Sequence, residues 1–215
     1  MVRRSVLVTG GTVRLGEAIA ARLGAAGWQV LTSSHRLDAG ADLVADLADP
    51  SGATTLYAAA LRLLGGRPPD ALVNNAALLV GDAATLRRVN VDSPNRLTTL
   101  MATRETGVGA VVNVLDSSVL READGDETSY LATKRALLAA TRRSAALFAA
   151  TLRVNGVAPG PVLAPTDMHM KAGETLLDRR PAASDVADAV AYLLDAESVT
   201  GVVLPVDAGQ HLLEI

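Results

Sequence analysis

The stretch SVLVTGGTVRLGEAIAARLGAAGW, residues 5–28, decides the fold. It opens as a short apolar run with the character of a buried strand, passes through a Thr-Gly-Gly turn, and continues with Leu, Ile and Ala at helical spacing. A strand that enters a helix through a glycine-rich turn is where α/β proteins hold a phosphate. Arg14 stands at the start of that helix. Unpaired N–H groups already make a helix N-terminus partly positive, so a cation there is locally unfavourable by a few tenths of a kcal/mol. Something anionic should offset it.

Outward from this unit, apolar runs alternate with Ala/Leu/Arg-rich segments. Strands are predicted at RSVLVT, WQVLTS, DLVA, ALVNN, GAVVNVL, TLRVNGV and GVVLPV, and helices over 15–26, 50–64, 84–104, 128–149 and 184–195. Continuous rather than alternating apolar strands imply burial on both faces, hence a doubly wound α/β fold with a parallel sheet between helices. At 215 residues the chain suits one domain, 1–215. The stretch at 161–183 lacks periodicity and reads as a lid, with Met168, His169 and Met170 candidates to line a pocket.

Composition removes several functions. A net charge of −3 with scattered arginines gives no field for nucleic acid, and no apolar run is long enough to span a bilayer. There is no cysteine, so neither disulfide nor thiolate chemistry is expected, and the cytoplasm is the expected compartment. His169 and His211 lack metal-ligand spacing, and no metal site is expected.

In a doubly wound sheet, ligands bind beyond the carboxyl ends of the strands. After the first strand, Gly10 permits a tight turn and Gly16 lets helix pack closely on strand. A purely structural turn would look the same. After the fourth strand stand Asn74, Asn75, Ala76 and Ala77, and Asn90 lies within a predicted helix. Asp116, Ser117 and Ser118 follow the fifth strand, and Pro159-Gly160 bends the chain after the sixth. Tyr130 and Lys134, four apart, share one helix face, where an ammonium would favour the phenolate. With three tyrosines and two lysines in the chain, a chance Tyr-x-x-x-Lys arises in about three per cent of such compositions, so the match is informative.

These motifs stand in the order found in the short-chain dehydrogenase/reductase family, which the sequence resembles over almost its whole length: the Thr-Gly turn, NNAA, Asn90, Tyr130-x-x-x-Lys134, APGPV and TGVVLPVDAG. The resemblance implies a Rossmann-type fold and a nicotinamide cofactor. Tyr130 would donate a proton to the carbonyl oxygen, Lys134 would bind the ribose, and Asn90 would hold a water in the proton relay. It also implies a homodimer or homotetramer built through the helices at 84–104 and 128–149.

Arg14 departs from the glycine usual there. With Leu15-Gly16 and His35-Arg36 it is similar to the pteridine reductases and the dihydromonapterin or dihydrofolate reductases of this fold. Arg36 occupies the place where an acid would accept from a ribose 2′-hydroxyl, so both arginines converge on a 2′-phosphate, and NADPH is the expected anion. Asp46-Leu47 match the family's adenine-contacting pair, although Asp46 would also begin a turn. Asp116 falls, by strand register, where ordinary members carry a serine and pteridine reductases an aspartate. Ser117, thirteen residues before Tyr130, competes for that role.

Against a pterin, Ala77, Leu78 and Leu79 stand where relatives stack an aromatic ring, and the segment from Asn75 to Asn90 is short for the family. Three readings remain: a pteridine reductase, a generic NADPH-dependent carbonyl or 3-oxoacyl reductase, and a cofactor-sensing protein without turnover. The intact Tyr130, Lys134 and Asn90 argue against the last.

Overall fold

A computed structural model describes residues 3–105, 107–121, 128–162 and 175–213. Met168, His169, Met170 and most of the expected lid lie outside these residues. The elements in chain order are β1 (Ser5–Thr9), α1 (Arg14–Ala25), β2 (Gln29–Ser34), β3 (Leu43–Val44), α2 (Gly52–Leu63), β4 (Ala71–Asn74), α3 (Ala83–Arg87), α4 (Ser93–Ala102), β5 (Gly109–Val114), α5 (Ser129–Leu147), β6 (Leu152–Pro159), α6 (Ala183–Asp195) and β7 (Val203–Val206). The strands form one sheet in the order β3-β2-β1-β4-β5-β6-β7, with every pairing parallel. This is the single doubly wound α/β layer that the continuous apolar runs imply.

Burial on both faces is visible strand by strand. Val6 and Val8 of β1 face a core closed by Ile19 and Leu23 of α1 and Val186, Val190 and Leu194 of α6. Leu7, between them, faces the opposite core with Leu56 of α2, Leu97 and Met101 of α4, and Ala145 of α5. Successive side chains point to opposite faces, so a strand covered on both sides must be apolar at every position. The chain winds one way from β1 to β3 and the other way from β4 onward. The crevice where the direction reverses opens over the carboxyl ends of β1 and β4.

The helix expected over 84–104 runs without a gap over 83–102 but is not α-helical throughout. Residues Arg88–Asp92 widen into one π turn, and Ser93 N–H reaches back five residues to the Arg88 carbonyl. Pro94, in the first turn of α4, is the physical reason. It has no N–H for the carbonyl of Asn90 four residues earlier, and its ring crowds an α-helical backbone. The carbonyl of Asn90 therefore lacks its α-helical donor. Among the described residues, no helix is long and apolar enough to cross a membrane.

Candidate active site

A cleft of about 820 Å³ lies over the crevice, lined by the turn after β1, the end of β2, Asp46-Leu47 and the segment after β4. Its floor is a polar joint between two turns. The Asn75 side-chain amide donates to the carbonyls of Thr9 and Gly10, each at 3.0 Å. The Thr9 hydroxyl accepts from the backbone N–H groups of Asn75 and Ala76, also at 3.0 Å. Glycine is required at two of these positions. Gly10 has φ +61, and a Cβ on Gly16 would come within 2.0 Å of the Gly10 carbonyl.

Beside this joint, α1 begins at Arg14 with no side chain capping its first turn. Its N–H groups thus open toward the cleft without a side-chain acceptor, a ready site for a phosphate. Arg14 is exposed and holds φ +54, the left-handed region that a non-glycine residue enters at a cost of about 1 to 2 kcal/mol. Among the described residues no carboxylate pairs with it. His35 and Arg36 follow β2 on the same cleft wall. Arg36 is bound in the fork of Asp38, Nε to Oδ1 at 3.0 Å and Nη2 to Oδ2 at 2.8 Å. Asp46 does begin a turn, accepting from Ala48 N–H at 2.8 Å, and it lines the cleft as well. Ala77 is exposed on the opposite wall. The set fits a phosphorylated dinucleotide: glycine cradles, an uncapped helix start and two guanidiniums at one rim.

The candidate reacting groups gather after the end of β5 and at the start of α5. Asp116 divides its two oxygens: Oδ1 accepts from Ser118 N–H at 2.9 Å and caps the 3-10 turn of residues Ser117–Leu120, while Oδ2 accepts from the Tyr130 hydroxyl at 3.2 Å. The cap and the contact with Tyr130 therefore coexist in one side chain. Ser117, next along, is buried. Lys134 is buried too, with Nζ donating to the Val114 carbonyl at 2.8 Å and lying 5.7 Å from the centre of the Tyr130 ring.

That arrangement corrects one expectation. The ammonium does not bring the phenol down. Burial, then the neighbouring Asp116 charge and its hydrogen bond, push the Tyr130 phenol well above its usual range. Burial lowers the Lys134 ammonium to about 8, opposed by the Asp116 charge. Burial and then the carboxylate, rather than the ammonium, govern the phenol, because it is the carboxylate that the hydroxyl faces.

Asn90 is fastened from three sides. Its Oδ1 accepts from Leu78 N–H, and its Nδ2 donates to the Leu78 carbonyl, both at 2.8 Å. The same Nδ2 donates to the Thr133 hydroxyl at 3.0 Å, and that hydroxyl donates to the Tyr130 carbonyl at 2.6 Å. Thr133 escaped the sequence reading, as did the buried chain in which Asn74 donates to Asn113 and Asn113 to Thr141, each at 2.8 Å. Threonines on an Ala/Leu-rich helix look like ordinary filler. The signal the sequence offers is spacing: Thr133, Leu137, Thr141 and Ala145 recur every four residues beside Lys134. Pro159 closes β6, and Gly160 stands so near Asp207 that a Cβ would come within 2.7 Å of the Asp207 side chain. His211 pairs with that Asp207 at 2.8 Å.

Comparison with known proteins agrees with this anatomy. Residues 13–211 match a family model described as enoyl-(acyl carrier protein) reductase. Pteridine reductase 1 of Leishmania tarentolae is 31% identical over 96% of both chains. Levodione reductase of Leifsonia aquatica is 30% identical over 96% of this chain and 94% of its own. Among solved structures, the FolM alternative dihydrofolate reductase 1 from Brucella canis, complexed with NADP, superposes with a TM-score of 0.86 at 31% identity, covering 97% of this chain and 94% of that one. With the doubly wound sheet, the Tyr130–Lys134 helix and relatives that match nearly end to end, the chain belongs to the short-chain dehydrogenase/reductase family of oxidoreductases.

Proposed function

We propose that this protein is an NADPH-dependent reductase that acts on a pteridine such as a dihydromonapterin or dihydrofolate. The observation that carries the reading is the hydrogen bond from the Tyr130 hydroxyl to Asp116 Oδ2 at 3.2 Å. It puts a carboxylate, rather than a serine hydroxyl, directly against the proton donor. A carboxylate accepts hydrogen bonds from the amino and ring N–H groups of a pterin and passes protons, whereas a serine only polarises a carbonyl. The NADP-bound solved relative and the pteridine reductase relative support the same choice.

In this reading the first turn of α1 and Gly10 hold the pyrophosphate, Arg14, His35 and Arg36 surround the 2′-phosphate, and Asp46-Leu47 meet the adenine. Asn75, Ala76, Ala77, Pro159 and Gly160 flank the nicotinamide ribose, where Lys134 would exchange its bond to the Val114 carbonyl for the ribose hydroxyls. When bound, NADPH supplies the hydride. Tyr130 delivers the proton, Asp116 orients the substrate and shares that proton, and the Asn90 carbonyl, which Pro94 deprives of its α-helical donor, would hold the water that refills the relay.

A second reading, a carbonyl or 3-oxoacyl reductase, draws support from the aliphatic wall. Leu78 is half-buried and Leu79 exposed where a stacking aromatic would stand, and one relative is a levodione reductase. The test is NADPH oxidation with dihydropterins, quinonoid pterins and simple ketones, in wild type and Tyr130→Phe. The reading expects dihydropterin turnover that falls at least about a hundredfold in the variant, with cofactor binding nearly unchanged. Turnover of ketones alone would refute the pteridine assignment.

A further inference from the structure

Asp38 is an acid that engages an arginine of the cofactor rim and that the reaction does not use. Its carboxylate fills the fork of Arg36 through two parallel bonds, 3.0 and 2.8 Å. Arg36 itself is pinned at the backbone, its N–H donating to the Ser34 hydroxyl at 3.1 Å. Arg36 and Ala39, on either side of Asp38, both line the cleft. A guanidinium offers two bidentate edges, Nε/Nη2 and Nη1/Nη2; Asp38 fills the first, and a phosphate monoester that takes that edge must displace the carboxylate. Both groups cannot hold that edge at once, and a 2′-phosphate carries nearly two negative charges that repel a carboxylate on the same arginine.

We propose that Asp38 is a specificity-determining residue that attenuates 2′-phosphate binding, occupying the Arg36 fork in the free protein and having to be displaced when a phosphorylated adenosine enters. This rests on the cofactor reading above. Arg14, without an acidic partner among the described residues, attracts the 2′-phosphate first, and Arg36 joins by exchanging one anion for another. The arrangement limits how tightly the oxidised cofactor is retained after turnover. The pair is exposed on both sides, 64% and 71% by side chain, so the exchange is cheap and salt-sensitive rather than a lock.

The test uses adenosine 2′,5′-bisphosphate and adenosine 5′-monophosphate, which differ only in the group at issue, with affinities measured by titration calorimetry. Asp38→Asn should bind the bisphosphate about three- to tenfold more tightly than wild type at low salt, leave the monophosphate unchanged, and lose its advantage as salt rises. In an Arg36→Ala background the same substitution should have no effect, because the contested fork is gone. Unchanged or weaker bisphosphate binding by Asp38→Asn would overturn the proposal, the second result meaning that Asp38 preorganises Arg36. A gain that persists without Arg36 would also overturn it. If wild type bound the two nucleotides equally, the cofactor reading itself would fall, an outcome distinct from the failure of Asp38 alone.

Discussion

At the scale of the residue, the chain places costs where the cofactor is expected. Arg14 sits in a backbone region that glycine enters freely, and it adds positive charge to a helix start that is already positive. Arg14→Gly should therefore raise thermal stability of the free protein, by about 0.5 to 1 kcal/mol, while weakening NADPH more than NADH. Loss of stability together with unchanged NADPH affinity would contradict this. Lys134 gives a second residue-scale expectation. Burial lowers its ammonium to about 8 against an ordinary 10.5. The folded state thus releases this proton before the unfolded chain does, so its burial costs stability at neutral pH, and that cost fades as pH rises from about 8 toward 10.5. Under the proposed function the activity runs the other way, since Lys134 would bind the ribose in its protonated form. The kcat/KM for NADPH should decline above pH about 8, and Asp116→Asn, which removes the charge that raises the Lys134 pKa, should move that decline to lower pH. A profile that is flat through pH 9 in wild type would contradict it.

At the scale of the element, the expected order of strands and helices is found, because each segment carries its own local reason. Val and Leu runs build strands buried on both faces, and Gly10 and Gly16 mark a turn where backbone must approach backbone. What local pattern could not give is the π turn at Arg88–Asp92 and the hydrogen bonds that depend on distant partners. Asn90 meets Leu78 and Thr133, and Lys134 meets Val114, across separations that no spacing rule reaches. Pro94, four residues after Asn90, was the available clue to the π turn. The candidate site was legible as a set of residues but not as a charge balance: the ion pair of Arg36 with Asp38, and Asp116 in place of Lys134 as the group facing Tyr130, appear only in three dimensions. Thr133 ties the π turn to the start of α5 through one hydroxyl that accepts from Asn90 and donates to the Tyr130 carbonyl. Thr133→Val keeps the shape and removes both bonds, so kcat should fall about ten- to thirtyfold, at about 1.5 to 2 kcal/mol, with little change in NADPH affinity. Thr133→Ser should restore most of the activity. Equal loss in the serine and valine variants would assign Thr133 to packing instead.

At the scale of the whole molecule, a chain of net charge −3 gathers two arginines at one end of a single parallel sheet and a Tyr–Lys–Asp cluster further along the same edge. Parallel topology makes this possible, because every strand ends on the same side and every functional turn opens there. The fold therefore fixes where the turns open, and under the proposed function the residue against Tyr130 decides between a pterin and a simple carbonyl. The most direct test is the pair of kcat/KM ratios for Asp116→Asn and Ser117→Ala on one dihydropterin with NADPH. If Asp116 receives the N–H groups of a pterin, Asp116→Asn leaves a donor facing a donor, a mismatch of ~1 to 3 kcal/mol, and kcat/KM should drop about ten- to several-hundredfold while Ser117→Ala is nearly silent. A large loss at Ser117 with none at Asp116 would contradict the account and identify a carbonyl reductase of the serine type.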